Sequence, residues 1–317
     1  MKSSLLPLLL LGSALAGPTA AAPTASAASA ESQARLVDPA GGIFVVAHRG
    51  CHNPAPDHDF AGHTPENSLS GLDRCVALGV DMLETDIRRA ADGTLVMFHD
   101  ATVDRTTDGS GQVAEMTWAQ LSRLRLRDDE GGADAPLTDQ HPLTLEQMLA
   151  AAKGRIMLNL DVKAPIYSEV VDAVRRAGMQ RQVVLKTEVG VHSQSLASLP
   201  PFDQVNFTPV LLNPPGSDDL LQTESTQIGG KVLPVAIELP RMRAEQLPAL
   251  VALAKQQHVR LLVNTLWDGF VVGYGGDADA LRDPDAVWGR LHRAGISAFQ
   301  TDEPEALLRY RASLEKR

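Results

Sequence analysis

Glu84 and Asp86 stand two residues apart in the run Glu84-Thr85-Asp86. On a strand, residues i and i+2 share a face and lie about 6.6–6.8 Å apart along it, so both carboxylates point the same way. Two anions about 4 Å apart cost roughly 4 kcal/mol at an effective dielectric near 20, and a cation removes that cost. Asp161 offers a third oxygen if its strand is a neighbour. An all-oxygen set without histidine favours Mg²⁺ or Ca²⁺ over Zn²⁺. The alternative is an ion-pair network with Arg88, Arg89 or Lys163.

Lys163 follows Asp161 by two and so shares its face, and Arg49 follows His48. Three carboxylates and a divalent ion sum to −1; Arg49 and Lys163 bring the total to +1. A locally positive mouth of this kind suits a phosphodiester. His48 and His99 are the acid–base candidates, because imidazole holds either protonation state near neutrality. Cleaving a phosphodiester needs one group to deprotonate the nucleophile and another to protonate the leaving oxygen. His52, His58 and His63 crowd the same loop as His48 and read as polar loop groups.

Residues with such roles need a scaffold that brings strand ends together. Short apolar, β-branched runs at 43–47, 80–87, 156–162, 183–186, 205–211, 232–237, 260–265 and 296–300 read as eight buried strands. Helical patterns follow most of them: 64–78, 168–177, 192–198, 217–226, 244–257, 284–294 and 303–314. Regular alternation argues for parallel strands with right-handed crossovers. Eight units predict a (β/α)8 TIM barrel, in which functional groups gather at the C-terminal strand ends. An open doubly wound sheet is the competing architecture, but no G-x-G-x-x-G follows the first strand. Residues 88–143 are too long for one crossover. They contain an Asp92-Gly93 turn, a short strand at 93–98 and helical stretches at 116–126 and 144–152. They read as a small inserted subdomain after strand two. The Gly- and Asp-rich stretch 267–285 reads as a solvated loop over the mouth.

The chain has 317 residues, 29 Lys plus Arg against 39 Asp plus Glu, and a net charge of −10. That balance disfavours nucleic-acid partners. Met1-Lys2, an apolar run at 5–16 and small residues at 20–22 read as a signal peptide, cleaved near Ala22. The run is too short for a stable membrane anchor. A flexible leader at 23–40 and a single domain at 41–317 complete the expected layout. Export, to the periplasm or outside the cell, permits a Cys51–Cys75 disulfide, which the spacing does not decide. Oligomeric state is not legible.

The runs His48-Arg49-Gly50, Pro65-Glu66-Asn67-Ser68, Glu84-Thr85-Asp86, Asp92-Gly93-Thr94-Leu95-Val96, His99-Asp100 and Arg105-Thr106-Thr107-Asp108-Gly109 occur in this order. They resemble the N-terminal signature of the glycerophosphodiester phosphodiesterases. Thr301-Asp302-Glu303-Pro304 resembles that family's C-terminal element. The resemblance spans 43–310. It implies the barrel with its insertion and a divalent cofactor, Ca²⁺ or Mg²⁺, on Glu84 and Asp86, with Asp161 as third ligand. It further implies that His48 and His99 share acid and base roles. A substrate hydroxyl then attacks phosphorus, and water opens the resulting cyclic phosphate. Arg49 and Lys163 would then hold the phosphoryl oxygens; Glu66 and Trp267 complete the candidate substrate-binding set. Read locally, Glu66 is an acid at a helix start, and Trp267 a residue that packs on the alcohol or in the barrel top. The expected partner is a small-molecule phosphodiester, and the products are an alcohol and glycerol 3-phosphate. One departure stands out: the family's usual third acid is Glu, and the related spider-venom type sphingomyelinases D look similar in using Asp there. Competing substrates are a lysophospholipid, sphingomyelin, a glycerophosphoinositol or a sugar phosphodiester. Lipid action would favour apolar mouth loops, for which Phe60, Phe270 and Val271-Val272 are the hints. A non-catalytic binding barrel is the reading from another class.

Overall fold

The computed structural model describes residues 25–212, 219–230 and 232–316; the expected signal peptide at 1–22 lies outside them. Eight parallel strands close on themselves: Phe44–Ala47, Met82–Arg89, Met157–Val162, Val183–Val189, Asn206–Leu211, Ala236–Leu239, Arg260–Asn264 and Ala298–Thr301. The first pairs with both the second and the eighth, which completes the barrel. The expected (β/α)8 architecture is the observed one.

Strand alternation splits the core in two. Phe44, Val46, Met82, Met157, Val184, Ala236, Leu262 and Ala298 point inward and form a small apolar plug with Leu36. Their neighbours Val45, Leu83, Leu158, Leu185, Ile237, Val263 and Phe299 point outward and join the large core under the helices. Continuing the inward parity toward the mouth gives His48, Glu84, Asp86, Asp161, Lys186, Glu238 and Gln300. The interior therefore changes from apolar at the floor to charged at the mouth.

The helix ends explain several boundary shifts. The turn at 64–67 is not helical; the helix is Leu69–Leu78, with Ser68 accepting from Gly71 N–H and Gly79 in the left-handed region at its end. The sixth strand lies later than the expected 232–237, at Ala236–Leu239. Residues 217–218 of one expected helix lie outside the described residues, and its observed part is Leu220–Ile228. The stretch 267–285 contains a short helix, Asp277–Arg282, and Asp277 within it is buried rather than solvated.

The insertion has the expected turn and strand, but the helix expected at 116–126 is only Trp118–Leu121, and the one expected at 144–152 is Leu145–Ala152. Asp92-Gly93 turns the chain back so that Leu95–Met97 pairs antiparallel with the second strand. Ala90, Val96, Phe98, Val103, Val113 and Leu121 give it its own small core. At its tip Gly131 has φ +76°, and a Cβ there would sit 2.3 Å from the Arg105 carbonyl oxygen, so only glycine fits.

Residues 25–36, expected to be part of a flexible leader, form a helix under the floor with Leu36 buried. Arg260 fixes it there. Its guanidinium, buried at the base of the seventh strand, donates to the carbonyls of Arg35, Leu36, Asp38, Gly42 and Ser297. Burial pushes its pKa down to about 10, and five carbonyl acceptors offset the desolvation. Asp81 lies 3.3 Å from Arg35 Nε and 2.6 Å from Arg311 NH1, so it joins this helix to the last one, Pro304–Leu314. Among the described residues no helix is long and apolar enough to cross a membrane.

Candidate active site

A cavity of about 610 Å³ opens at the C-terminal strand ends, lined by His48, Arg49, Glu84, Asp86, His99, Asp161, Lys163 and Trp267 among others. All but one of the site residues expected from sequence meet there. Glu66 does not line it. Its buried carboxylate accepts from Arg49 NH1 (2.9 Å) and from Arg105 NH1 and NH2 (2.9 Å each). It caps no helix; it holds Arg49 in place behind the cavity wall.

Register explains the acidic cluster. Asp86 of the second strand is aligned with Asp161 of the third, and Asp161 with Lys186 of the fourth. Carboxylate oxygens of Glu84, Asp86 and Asp161 lie within 4.8 Å of one another. Asn67 sets the position of Asp86: its amide donates to Asp86 Oδ2 (3.0 Å), and its carbonyl oxygen accepts from Thr85 Oγ1 and Asp86 N–H. Glu84 Oε2 accepts from the Arg49 N–H at 2.9 Å.

Burial opposes the charge on Asp86, but Lys163, His99 and Arg49 hold its carboxyl well below the usual range. Asp161 is likewise held low against burial by Lys186 and Lys163. Lys163 Nζ lies 2.7 Å from Asp161 Oδ2 and 3.0 Å from Asp86 Oδ1. Asp86 Oδ1 is buried, with Lys163 as its ion-pair partner but no aligned hydrogen bond. An oxygen-only set of three converging carboxylates fits a hard divalent ion. Glu84, Asp86 and Asp161 would hold it.

Each histidine is oriented by an acid. His48 Nδ1 lies 2.8 Å from Asp302 Oδ1, and His99 Nδ1 lies 2.7 Å from Asp100 Oδ1. With Nδ1–H given to a carboxylate, Nε2 is the basic nitrogen of each ring. Burial pulls the His48 pKa down, but the hydrogen bond and charge of Asp302 outweigh it and raise it overall. Asp100 is in turn fixed by Arg105 Nε at 2.7 Å. The Trp267 ring meets His48 edge-on at 6.2 Å and stacks on Phe270 at 5.2 Å.

Several functional neighbours were not legible as such. His52, read as a loop group, is buried between Asp129 (2.7 Å) and Asp302 (3.1 Å), which together outweigh burial and raise its pKa to about 10. Asp277 accepts from Thr265 Oγ1, Thr301 Oγ1 and the Asp302 N–H, so the acid behind His48 is itself braced. Burial raises the Asp277 pKa to about 7. Lys186 and Glu238 are buried at the cavity's base. Lys186 closes the expected fourth strand, two residues after inward-facing Val184, so parity alone identifies it. Glu238 lies one residue beyond the expected end of the sixth. Cys51 and Cys75 form a disulfide, Cα–Cα 5.3 Å, tying the loop after His48 to the first barrel helix.

The second half of the mouth is apolar. Val210, Leu212, Pro240, Leu266, Trp267 and Phe270 line it. Leu212 and Pro240 also line an adjoining cavity of about 770 Å³, with Val191 and Leu211. Phe60 is elsewhere, under Arg74, and Val271 is buried.

A model of the glycerophosphoryl diester phosphodiesterase family matches residues 48–306. Glycerophosphodiester phosphodiesterase 1 of Bos taurus is 31% identical over 153 residues, 46% of this chain and 41% of that one. The chain spans about half the length of the curated relatives it matches. Among solved structures, a glycerophosphoryl diester phosphodiesterase from Parabacteroides distasonis has a TM-score of 0.62 at 19% identity, covering 86% of this chain and 87% of that one. A phosphodiesterase from Oleispira antarctica, in complex with the product sn-glycerol-3-phosphate, has a TM-score of 0.56 at 19% identity, covering 86% and 97%. These structural likenesses speak to the barrel. The family match spans most of the chain and starts at His48 itself: the chain belongs to the glycerophosphoryl diester phosphodiesterase family.

Proposed function

We propose that this chain is an exported, metal-dependent phosphodiesterase that hydrolyses glycerophosphodiesters to an alcohol and glycerol 3-phosphate. The observation that carries this is the pairing of His48 and His99 on one cavity, each with Nδ1 fixed by an acid, beside a three-carboxylate cluster. One imidazole takes the proton of the substrate hydroxyl as its oxygen bonds to phosphorus. The other protonates the departing alcohol oxygen as the second P–O bond breaks. Water then opens the cyclic phosphate with the two roles exchanged. Arg49 and Lys163 face the phosphoryl oxygens. A bound divalent ion supplies Lewis-acid charge to those oxygens. Export is supported by the apolar leader and by the Cys51–Cys75 bridge, which suits an oxidising compartment; N-terminal sequencing of secreted protein should begin near Pro23.

The test is release of glycerol 3-phosphate from glycerophosphocholine, with EDTA and then with Ca²⁺ or Mg²⁺ restored. Metal-restored release supports the reading. No release under either metal sinks this substrate. A second reading, the same chemistry on a single-chain lysophospholipid, is favoured by the apolar cavity beyond Leu212 and Pro240. Faster turnover as the acyl chain lengthens, measured below micelle-forming concentrations, would select it.

A further inference from the structure

Lys186 is the feature of this site that the acid–base chemistry does not use. Its side chain is buried, and its Nζ lies 3.2 Å from Glu84 Oε1, 3.4 Å from Asp161 Oδ2 and 3.7 Å from Glu238 Oε2. Two of those three acids are the ones that would hold a divalent ion. The ammonium thus stands among three carboxylates. Register makes the placement obligatory: Asp161 and Lys186 are direct partners on adjacent parallel strands, and both face inward.

Glu238 is the third acid around the ammonium. One of its oxygens accepts from Asn264 Nδ2 at 3.1 Å, while its buried Oε2 accepts no hydrogen bond and has Lys186 as its ion-pair partner at 3.7 Å. That contact is the longest of the three, so it has room to shorten.

We infer that Lys186 is a built-in competitor for the metal: it neutralises Glu84 and, alongside Lys163, Asp161 when no ion is bound, and must turn toward Glu238 to release their oxygens. The inference rests on the metal-dependent reading only for the class of ion. A +1 charge beside a +2 site is strongly unfavourable in a buried setting, so the lysine lowers metal affinity and makes the site stable without its ion. The family resemblance assigns no role to this position.

The experiment is calorimetric titration of the purified protein with CaCl₂ and with MgCl₂ at constant ionic strength, together with the melting shift each metal produces. Wild type is compared with Lys186→Gln and with the double variant Lys186→Gln/Glu238→Gln. Both variants should bind the ion at least tenfold tighter and show the larger metal-induced rise in Tm. The double variant keeps the net charge and leaves no buried carboxylate facing an amide across the gap, so it guards against misfolding. It also separates competition for shared oxygens from a plain change in charge, which predicts no gain for the pair. Affinities equal to or below wild type in the double variant overturn the proposal, as does failure of every form to bind either metal. Because binding is read directly, absence of glycerophosphocholine turnover would count against the proposed substrate and not against this inference.

Discussion

The two halves of the barrel mouth are built on opposite principles. The arc from the first to the fourth strand is a lattice of charge in which nearly every group is held by another: Glu66 holds Arg49, Asn67 holds Asp86, Asp302 holds His48, Asp100 holds His99. The arc from the fifth to the seventh strand presents Val210, Leu212, Pro240, Leu266, Trp267 and Phe270, with Trp267 51% and Leu212 41% exposed. On the proposed function, the charged arc would hold the phosphoryl group, because its donors and acceptors are already fixed by one another, and the apolar arc would receive the attached alcohol. Reaction type would then belong to the first arc and substrate breadth to the second.

That division is testable from its strongest consequence downward. Replacing His48 or His99 with Ala should cut kcat by about a hundred- to ten-thousand-fold and leave the melting temperature nearly unchanged. Loss of folding instead of turnover would make these histidines structural.

Replacing both cysteines with Ser removes a bridge spanning 24 residues. It should cost about 3 kcal/mol, or roughly 6 °C in Tm. The charged arc should loosen first, so kcat should fall before global melting as temperature rises.

His52 supplies a pH signature. Its pKa is raised by folding to about 10, so its contribution is fully present below about 6.5, the unfolded value. It is lost as pH rises toward 10, at up to about 1.4 kcal/mol per pH unit. His52→Gln should flatten that slope in a melting series, and an unchanged slope would assign the sensitivity to other groups.

Asn67→Ala should weaken metal affinity or activity about 10–100-fold by releasing Asp86, although Asn67 holds no ion itself. The smallest change belongs to the apolar arc. Trp267→Ala should raise KM roughly two- to twelve-fold, in keeping with an aromatic contact worth about 0.5–1.5 kcal/mol, with kcat little altered. A kcat loss as large as that of His48→Ala would place Trp267 in the chemistry and blur the two arcs.

Sequence patterns made the barrel legible, because each strand is a short buried run followed by a helical period. They also located the acids and histidines, which sit at strand ends. The obscure groups share one physical cause: their partners are distant in the chain. His52 is defined by Asp129 and Asp302 and Glu66 by Arg105; the inward position of Lys186 follows from strand parity, but its partner Asp161 is set by register with another strand. Glu66 looked like a helix-start acid because Pro65 precedes it, but the left-handed backbone of Asn67, φ 54°, delays the helix to Leu69. The leader looked flexible because its composition is small and polar. Its anchor, Arg260, lies more than two hundred residues away.

That anchor has a geometric corollary. Asp81 bridges the C-terminal end of the helix at 25–36 to the last helix, on the floor side. The mouth lies the length of a strand away, about 20 Å for six residues. A fusion partner or surface tether attached after the last helix would therefore start from the floor side, and immobilised protein should keep its access to dissolved substrate.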